Sequence, residues 1–256
     1  MTIASKITYQ WQVLLLAISI FTRLPVPADL PYSEDRKNES YKFSPLVGLL
    51  VGCLSALVYS LSAQLWPQSV AVVLSMIASI YMTGAFHEDG FADTCDGFGG
   101  GFTPLRKLEI MKDSRVGAYA LIGMVLVLLL KYVSLSELHQ VPLALMIAHT
   151  LSRSVAVSFI YSHGYVRQSE QSKLNIAHSP SRNNDRLVLL LISLLSLSLL
   201  PSLGLAVALV GVLLLARFGF DRWLHAQIGG YTGDALGAIQ QLSELLCYLF
   251  LLYWLS

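Results

Sequence analysis

Residues 43–65, 69–86, 116–135, 141–162 and 235–255 are apolar runs that carry at most one Asp, Glu, Lys or Arg each. Runs of that length leave little choice of fold. A bilayer core about 30 Å thick is crossed by about 20 helical residues, and a backbone in lipid must satisfy its own hydrogen bonds, which a helix does within one segment. The composition agrees: 55% of the chain is hydrophobic, only 13% is charged and the mean hydropathy is +0.61, outside the range of soluble domains. Shorter runs at 9–22, 186–200 and 202–218 complete the pattern. The expectation is an all-α, polytopic transmembrane helical bundle of about seven or eight membrane helices, forming one integral membrane domain over residues 1–256. The run from Trp11 to Phe21 lacks a small-residue cleavage site, since Thr22-Arg23-Leu24-Pro25 follows, and is kept as structure.

The basic residues set the topology. Stretches 23–42, 87–115, 163–186 and 217–234 hold 14 of the 17 Lys and Arg, whereas the turns near Trp66-Pro67, Glu137–His139 and Pro201 hold none. Short loops rich in Lys and Arg stay on the cytoplasmic side. The four stretches are therefore expected as longer cytoplasmic loops, with short extracytoplasmic turns between them. That alternation requires residues 187–216 to form a helical hairpin broken near Pro201. The net charge of +1 offers no attraction for nucleic acid. Cys53, Cys95 and Cys247 are far apart and odd in number, so they suggest neither a zinc site nor a disulfide framework.

Against this background Gly84–Gly101, GAFHEDGFADTCDGFGGG, is an anomaly. Unpaired charges in a low-dielectric setting cost several kcal/mol or more, yet Glu88, Asp89, Asp93 and Asp96 crowd together here. If the third helix continues through Gly84, then Asp89, Asp93 and Asp96 fall at i, i+4 and i+7, within about 60° around the helix. Carboxylates so placed repel one another, and bound cations would reverse the sign. Mg²⁺ takes one or two carboxylates and fills its remaining positions with substrate phosphates and water. Gly90 would allow close backbone approach, while Gly97, Gly99, Gly100 and Gly101 would end the helix and expose amides able to cradle phosphate.

HEDGFADTCDGFGGG (His87–Gly101) resembles the signature of the cobalamin synthase family, the adenosylcobinamide-GDP ribazoletransferases. FTRLPVP (Phe21–Pro27), KDSRVGAYA (Lys112–Ala120) and GGYTGDALGAIQQLSE (Gly229–Glu244) extend the resemblance over essentially the whole chain. Phe91 and Cys95 depart from the pattern and leave every acidic position intact. The resemblance implies that the 3′-hydroxyl of α-ribazole, or of its 5′-phosphate, attacks the cobinamide-linked phosphorus of adenosylcobinamide-GDP and releases GMP, with Mg²⁺ required. In-line displacement asks a protein mainly for placed metal and charge neutralisation. The D-G-x-x-D-x-x-D spacing is also similar to that of the CDP-alcohol phosphotransferases, whose longer final spacing is not matched.

Asp89, Asp93 and Asp96 are assigned to metal with Glu88 at the rim, and Asp93 and Asp96 to catalysis, Asp96 doubling as general base. His87, on the opposite helical face, is expected as a packed or headgroup-level side chain and not a catalytic one. Arg115 and Lys112 would meet phosphate, with Asp113 as a further ligand or the partner of Arg115. Arg153, midway along an apolar run, must face a polar interior or a carboxylate. Asp234 is a ligand to metal or ribose, or else an N-cap; Gln240, Gln241 and Glu244 continue inward from it. His163, Lys173, His178 and Arg182 belong to a basic, phosphate-friendly loop.

The expected partners are adenosylcobinamide-GDP, α-ribazole or its 5′-phosphate and membrane lipid, with oligomeric state open and a homo-oligomer among the options. The expected location is the bacterial cytoplasmic (inner) membrane with the site facing the cytoplasm. A rival class is an ion-coupled transporter, since carboxylates and arginine within membrane helices also mark ion pathways. The acidic motif's place at a helix end and the lack of an inverted repeat weigh against it.

Overall fold

A computed structural model describes residues 3–162, 164–168, 174–177 and 183–255. His163, Lys173, His178 and Arg182 lie outside the described residues. The helices are α1 (Ile3–Phe21), α2 (Glu34–Ser40), α3 (Ser44–Ser62), α4 (Gln68–Thr83), α5 (Phe86–Gly100), α6 (Pro104–Met111), α7 (Ala118–Ser136), α8 (Val141–Ile160), α9 (Asn183–Leu197), α10 (Leu203–Ile228) and α11 (Gly233–Leu255). A 3₁₀ turn, Tyr41–Phe43, joins α2 to α3. Strands β1 (Tyr165–Gln168) and β2 (Leu174–Ala177) form a small antiparallel ribbon in what was expected to be loop.

The chain is a membrane protein and a polytopic helical bundle. Among the described residues, α7, α8, α10, α11 and the continuous stretch Glu34–Ser62 are long and apolar enough to cross a bilayer, and the bent pair α4–α5 makes a sixth candidate. This is fewer than the seven or eight expected. Helix α1 falls short because Lys6, Gln10 and Gln12 dilute its apolar run, and α9 because it has only 15 residues. The break expected near Pro201 is present, a turn at 198–202 separating α9 from α10, but the two helices pack mainly on other partners, α9 on α8 and α10 on α11, and not on each other as a hairpin. The expected loop 217–234 is mostly helix, since α10 runs through Arg217 and Arg222 to Ile228.

Helix α8 is the axis of the bundle, buried along nearly its whole length. Glycines let α3 lie directly on it: a Cβ at Gly52 would stand 2.8 Å from the Leu145 carbonyl oxygen, and one at Gly48 would strike the His149 carbonyl. Outward faces of α7 and α10 present Leu121, Val125, Leu129, Leu203, Val207 and Leu214, as a lipid-facing surface should. The longer connections meet at one end of the bundle. There Lys42 pairs with Asp185 at 3.2 Å, the Arg186 side chain donates to the Tyr161 carbonyl at 2.8 Å, and the Val166 amide donates to the Tyr231 carbonyl at 2.8 Å. At the other end Gln68 donates to the Leu138 carbonyl, tying α4 to the turn after α7.

The third apolar run does not continue through Gly84. Gly84 (φ 66°) and Ala85 (φ 58°) both take the left-handed conformation, and α5 leaves α4 at 89°. Glycine accepts that backbone readily, whereas alanine meets a Cβ clash. The acidic segment is consequently a helix of its own, packed against α7 and α11.

Candidate active site

The crossing of α5 and α11 depends on two glycines. A Cβ at Gly90 would lie 2.8 Å from the Asp234 carbonyl oxygen, and one at Gly237 would lie 3.0 Å from the His87 carbonyl oxygen. Close approach here sets Asp234 against the turn of α5 that carries Asp89 and Asp93, near enough for the three charges to act on one another. Asp89 is exposed, and Asp93 and Asp234 are half-buried. None of the three carboxylates makes a side-chain hydrogen bond or ion pair among the described residues. Asp234 is free because Thr232 is the N-cap, its Oγ1 accepting from the Ala235 amide at 3.1 Å. The capping role open to Asp234 in the sequence thus falls to its neighbour.

The rest of the expected acidic set is engaged elsewhere. Asp96, 9% exposed, accepts from the Gly117 amide at 2.6 Å and from the Ala120 amide at 2.9 Å. It therefore caps the first turn of α7, satisfying two otherwise orphaned donors. A carboxylate so occupied is a poor general base, which corrects its assignment. Glu88 turns inward and accepts from Gln241 at 3.0 Å. Among the described residues no three His, Cys, Asp or Glu side chains converge to hold a metal on their own. The remaining donors still suit Mg²⁺, which needs only one or two protein carboxylates beside substrate phosphates.

The glycines after Asp96 serve packing. Gly99 and Gly100 lie inside the last turn of α5, so their amides point back into the helix and the expected phosphate cradle is not formed. A Cβ at Gly99 would meet the Tyr119 ring at 2.5 Å, and Gly97 and Gly101 are closed over by α6. Arg115 does not reach the carboxylates. Its side chain is 87% exposed and forks onto Asp113 at 2.6 Å, which holds the Asp113 carboxyl down to about 2. Lys112 is exposed at the end of α6.

Arg153 is buried, at 2% exposure, yet stands apart from the aspartates. Its Nη1 donates to the His149 carbonyl at 2.9 Å and meets His149 Nδ1 at 3.3 Å. Deeper in the bundle Glu244 is surrounded: Lys131 Nζ at 2.8 Å, Gln240 Nε2 at 2.7 Å, Tyr248 Oη at 3.1 Å and His149 Nδ1 at 3.3 Å. Gln241 links this group to Glu88 by donating to it and accepting from Lys131 at 2.7 Å. Sequence reasoning missed Lys131 and His149. Lys131 was marked by being a lone charge in the apolar run of α7, and His149 by lying one helical turn before Arg153.

A second feature had no sequence signal. A cavity of about 510 Å³ opens at the loop-bearing end, walled by Phe21, Tyr41, Phe86, Tyr165 and Tyr231 and lined also by Arg153. Tyr165 and Tyr231 meet edge to face at 5.5 Å, and His87 stacks on Phe21 at 6.5 Å, a packed position as expected. Burial pushes the Tyr231 phenol up to about 12, so it remains a donor. Gly233, also in the wall, immediately precedes Asp234 and joins the cavity to the carboxylate face.

Free carboxylates on a glycine-crossed helix pair, beside an aromatic cavity inside a membrane bundle, define the chain as a polytopic membrane enzyme. It belongs to the cobalamin-5-phosphate synthase family, whose model matches residues 13–252. The adenosylcobinamide-GDP ribazoletransferase of Vibrio parahaemolyticus is 46% identical over 251 residues, covering 97% of this chain and 94% of that protein. The enzyme of the same name from Shewanella amazonensis is 47% identical over 246 residues, 94% and 95% of the two chains. That of Vibrio cholerae is 46% identical over 257 residues, 99% and 98%. No solved structure matches the chain.

Proposed function

We propose that this chain is an adenosylcobinamide-GDP ribazoletransferase acting in nucleotide-loop assembly of cobalamin biosynthesis, in the bacterial inner membrane with its site facing the cytoplasm. The observation that carries the chemistry is the trio Asp89, Asp93 and Asp234, brought together by Gly90 and left without a cationic partner among the described residues. Asp89 and Asp234 would hold Mg²⁺, which supplies charge neutralisation at the phosphates when bound.

Asp93 is half-buried with no donor on its oxygens, which leaves it open to take the proton of the attacking 3′-hydroxyl. The new bond joins that oxygen to the cobinamide-linked phosphorus. The bond to the GMP oxygen breaks, and GMP leaves with the electron pair. Gly90 keeps the carboxylates in register with one another. The 89° turn at Gly84 and Ala85 sets the acidic helix across the line of α4 instead of continuing it.

The test is GMP release by the purified protein in detergent or liposomes, supplied with adenosylcobinamide-GDP, α-ribazole 5′-phosphate and Mg²⁺. One GMP should appear for each corrinoid product and release should stop with EDTA. Absence of GMP release, or solute flux across liposomes without turnover, would overturn the reading.

A further inference from the structure

The aromatic cavity is chemically unlike the carboxylate face beside it. Its volume of about 510 Å³ falls within the range of small-molecule pockets. Its walls offer ring faces and edges from Phe21, Tyr41, Phe86, Tyr165 and Tyr231, with Phe21 and Phe86 meeting edge to face at 5.9 Å. Such walls favour a planar ring, because aromatic groups gain most from stacked or edge-on aromatic contact.

Arg153 supplies the second observation. It is 98% buried by accessible surface, and among the described residues only its Nη1 is hydrogen-bonded; Nε has no partner. A guanidinium is always charged and presents its donors as a fork suited to phosphate. Holding one in a membrane bundle with half of that fork unused is costly. A Cβ at Gly48 would press on the Arg153 side chain at 2.8 Å, so α3 leaves room for the arginine to lie where it does.

We propose that this cavity seats a planar aromatic nucleoside phosphate, its ring against the aromatic wall and its phosphate on the free edge of Arg153. The choice of ligands rests on the ribazoletransferase reading: the benzimidazole nucleotide acceptor and the guanine nucleotide half of the donor share this chemistry. The mostly apolar ring wall suits a benzimidazole, whereas Glu34 and Asn38 in the lining would be needed by the polar edge of guanine.

Equilibrium dialysis of the purified full-length protein, without adenosylcobinamide-GDP so that nothing turns over, separates the two sources. α-Ribazole 5′-phosphate and GMP are measured beside their dephosphorylated forms, on wild type and Arg153→Met. The phosphorylated form of the true occupant should lose about tenfold or more in affinity, the scale of one charge-assisted hydrogen bond, while its nucleoside changes less than about twofold. Loss confined to α-ribazole 5′-phosphate assigns the cavity to the acceptor, and loss confined to GMP assigns it to the donor. Unchanged affinity for both overturns the proposal.

Should Arg153→Met fail to fold, Ala156→Leu extends a side chain from α8 into the cavity and must weaken the same ligand; wild-type binding by that variant also overturns the proposal. Failure of the wild type to release GMP from adenosylcobinamide-GDP would count against the activity and leave the cavity's ligand binding to be read separately.

Discussion

Lys131→Met tests the buried charges around Glu244. Lys131 Nζ holds two partners, Gln241 Oε1 at 2.7 Å and Glu244 Oε1 at 2.8 Å, with the side chains of Lys131 and Glu244 both 5% exposed. Neutral interhelical hydrogen bonds in membranes are worth only about 0.6 kcal/mol on average, because the separated helices find other partners. Removing one member of a buried ion pair is a different perturbation and costs about 3–5 kcal/mol, since the other charge is left uncompensated. Glu244 would keep His149, Gln240 and Tyr248, which places Lys131→Met at the lower end, about 3 kcal/mol. Removing both charges in Lys131→Met/Glu244→Leu strands no carboxylate. The double variant should therefore be more stable than the sum of the singles by about 2 kcal/mol, within the range seen for contacting residues. Reversible unfolding in mixed micelles by SDS titration of wild type, both singles and the double measures the cycle. Additivity within about 0.5 kcal/mol would refute the claim that these groups form one coupled unit.

Three further outcomes follow from the site. Asp93→Asn should reduce GMP release by about a hundredfold or more without loss of stability, since it relieves repulsion from Asp89 and Asp234, whereas Asp96→Ala should cost about 1–2 kcal/mol in the same titration through loss of the α7 cap. Equal stability of the two variants would contradict that division. Arg115→Ala should keep turnover within about twofold, because its pairing with Asp113 is solvent-exposed; a hundredfold loss in steady-state rate would return it to the site. Ala85→Gly should raise unfolding stability by about 0.5 kcal/mol, relief of the left-handed strain exceeding the added chain entropy, and a loss of stability would disprove the strain.

Local patterns were legible wherever one segment contains all the relevant information. Apolar run length located the helices, and the clustering of Lys and Arg put the longer connections at one end. The i, i+4, i+7 spacing of Asp89, Asp93 and Asp96 survives as a helical stripe even though the helix starts afresh after Ala85. Asp234 was legible through its motif, and Arg153 as a charge an apolar helix could not leave exposed.

How those side chains are used was decided by the tertiary structure. The amides at the start of α7 are orphan donors in any sequence, but only the packing of α7 on α5 hands them to Asp96. Arg115 and Asp113 sit two residues apart and satisfy each other, which keeps the arginine out of the site. Glu88 and Lys131 meet through Gln241, residues separated in sequence by more than a hundred positions from one or the other. The aromatic cavity is assembled from α1, the 3₁₀ turn, α5, β1 and the turn before α11, so no local pattern could announce it. The sequence by itself determined that this is a membrane bundle with an acidic helix. Which carboxylates remain free is a matter of which donors the fold brings to each, because a charge in an apolar interior takes whatever partner packing places within reach.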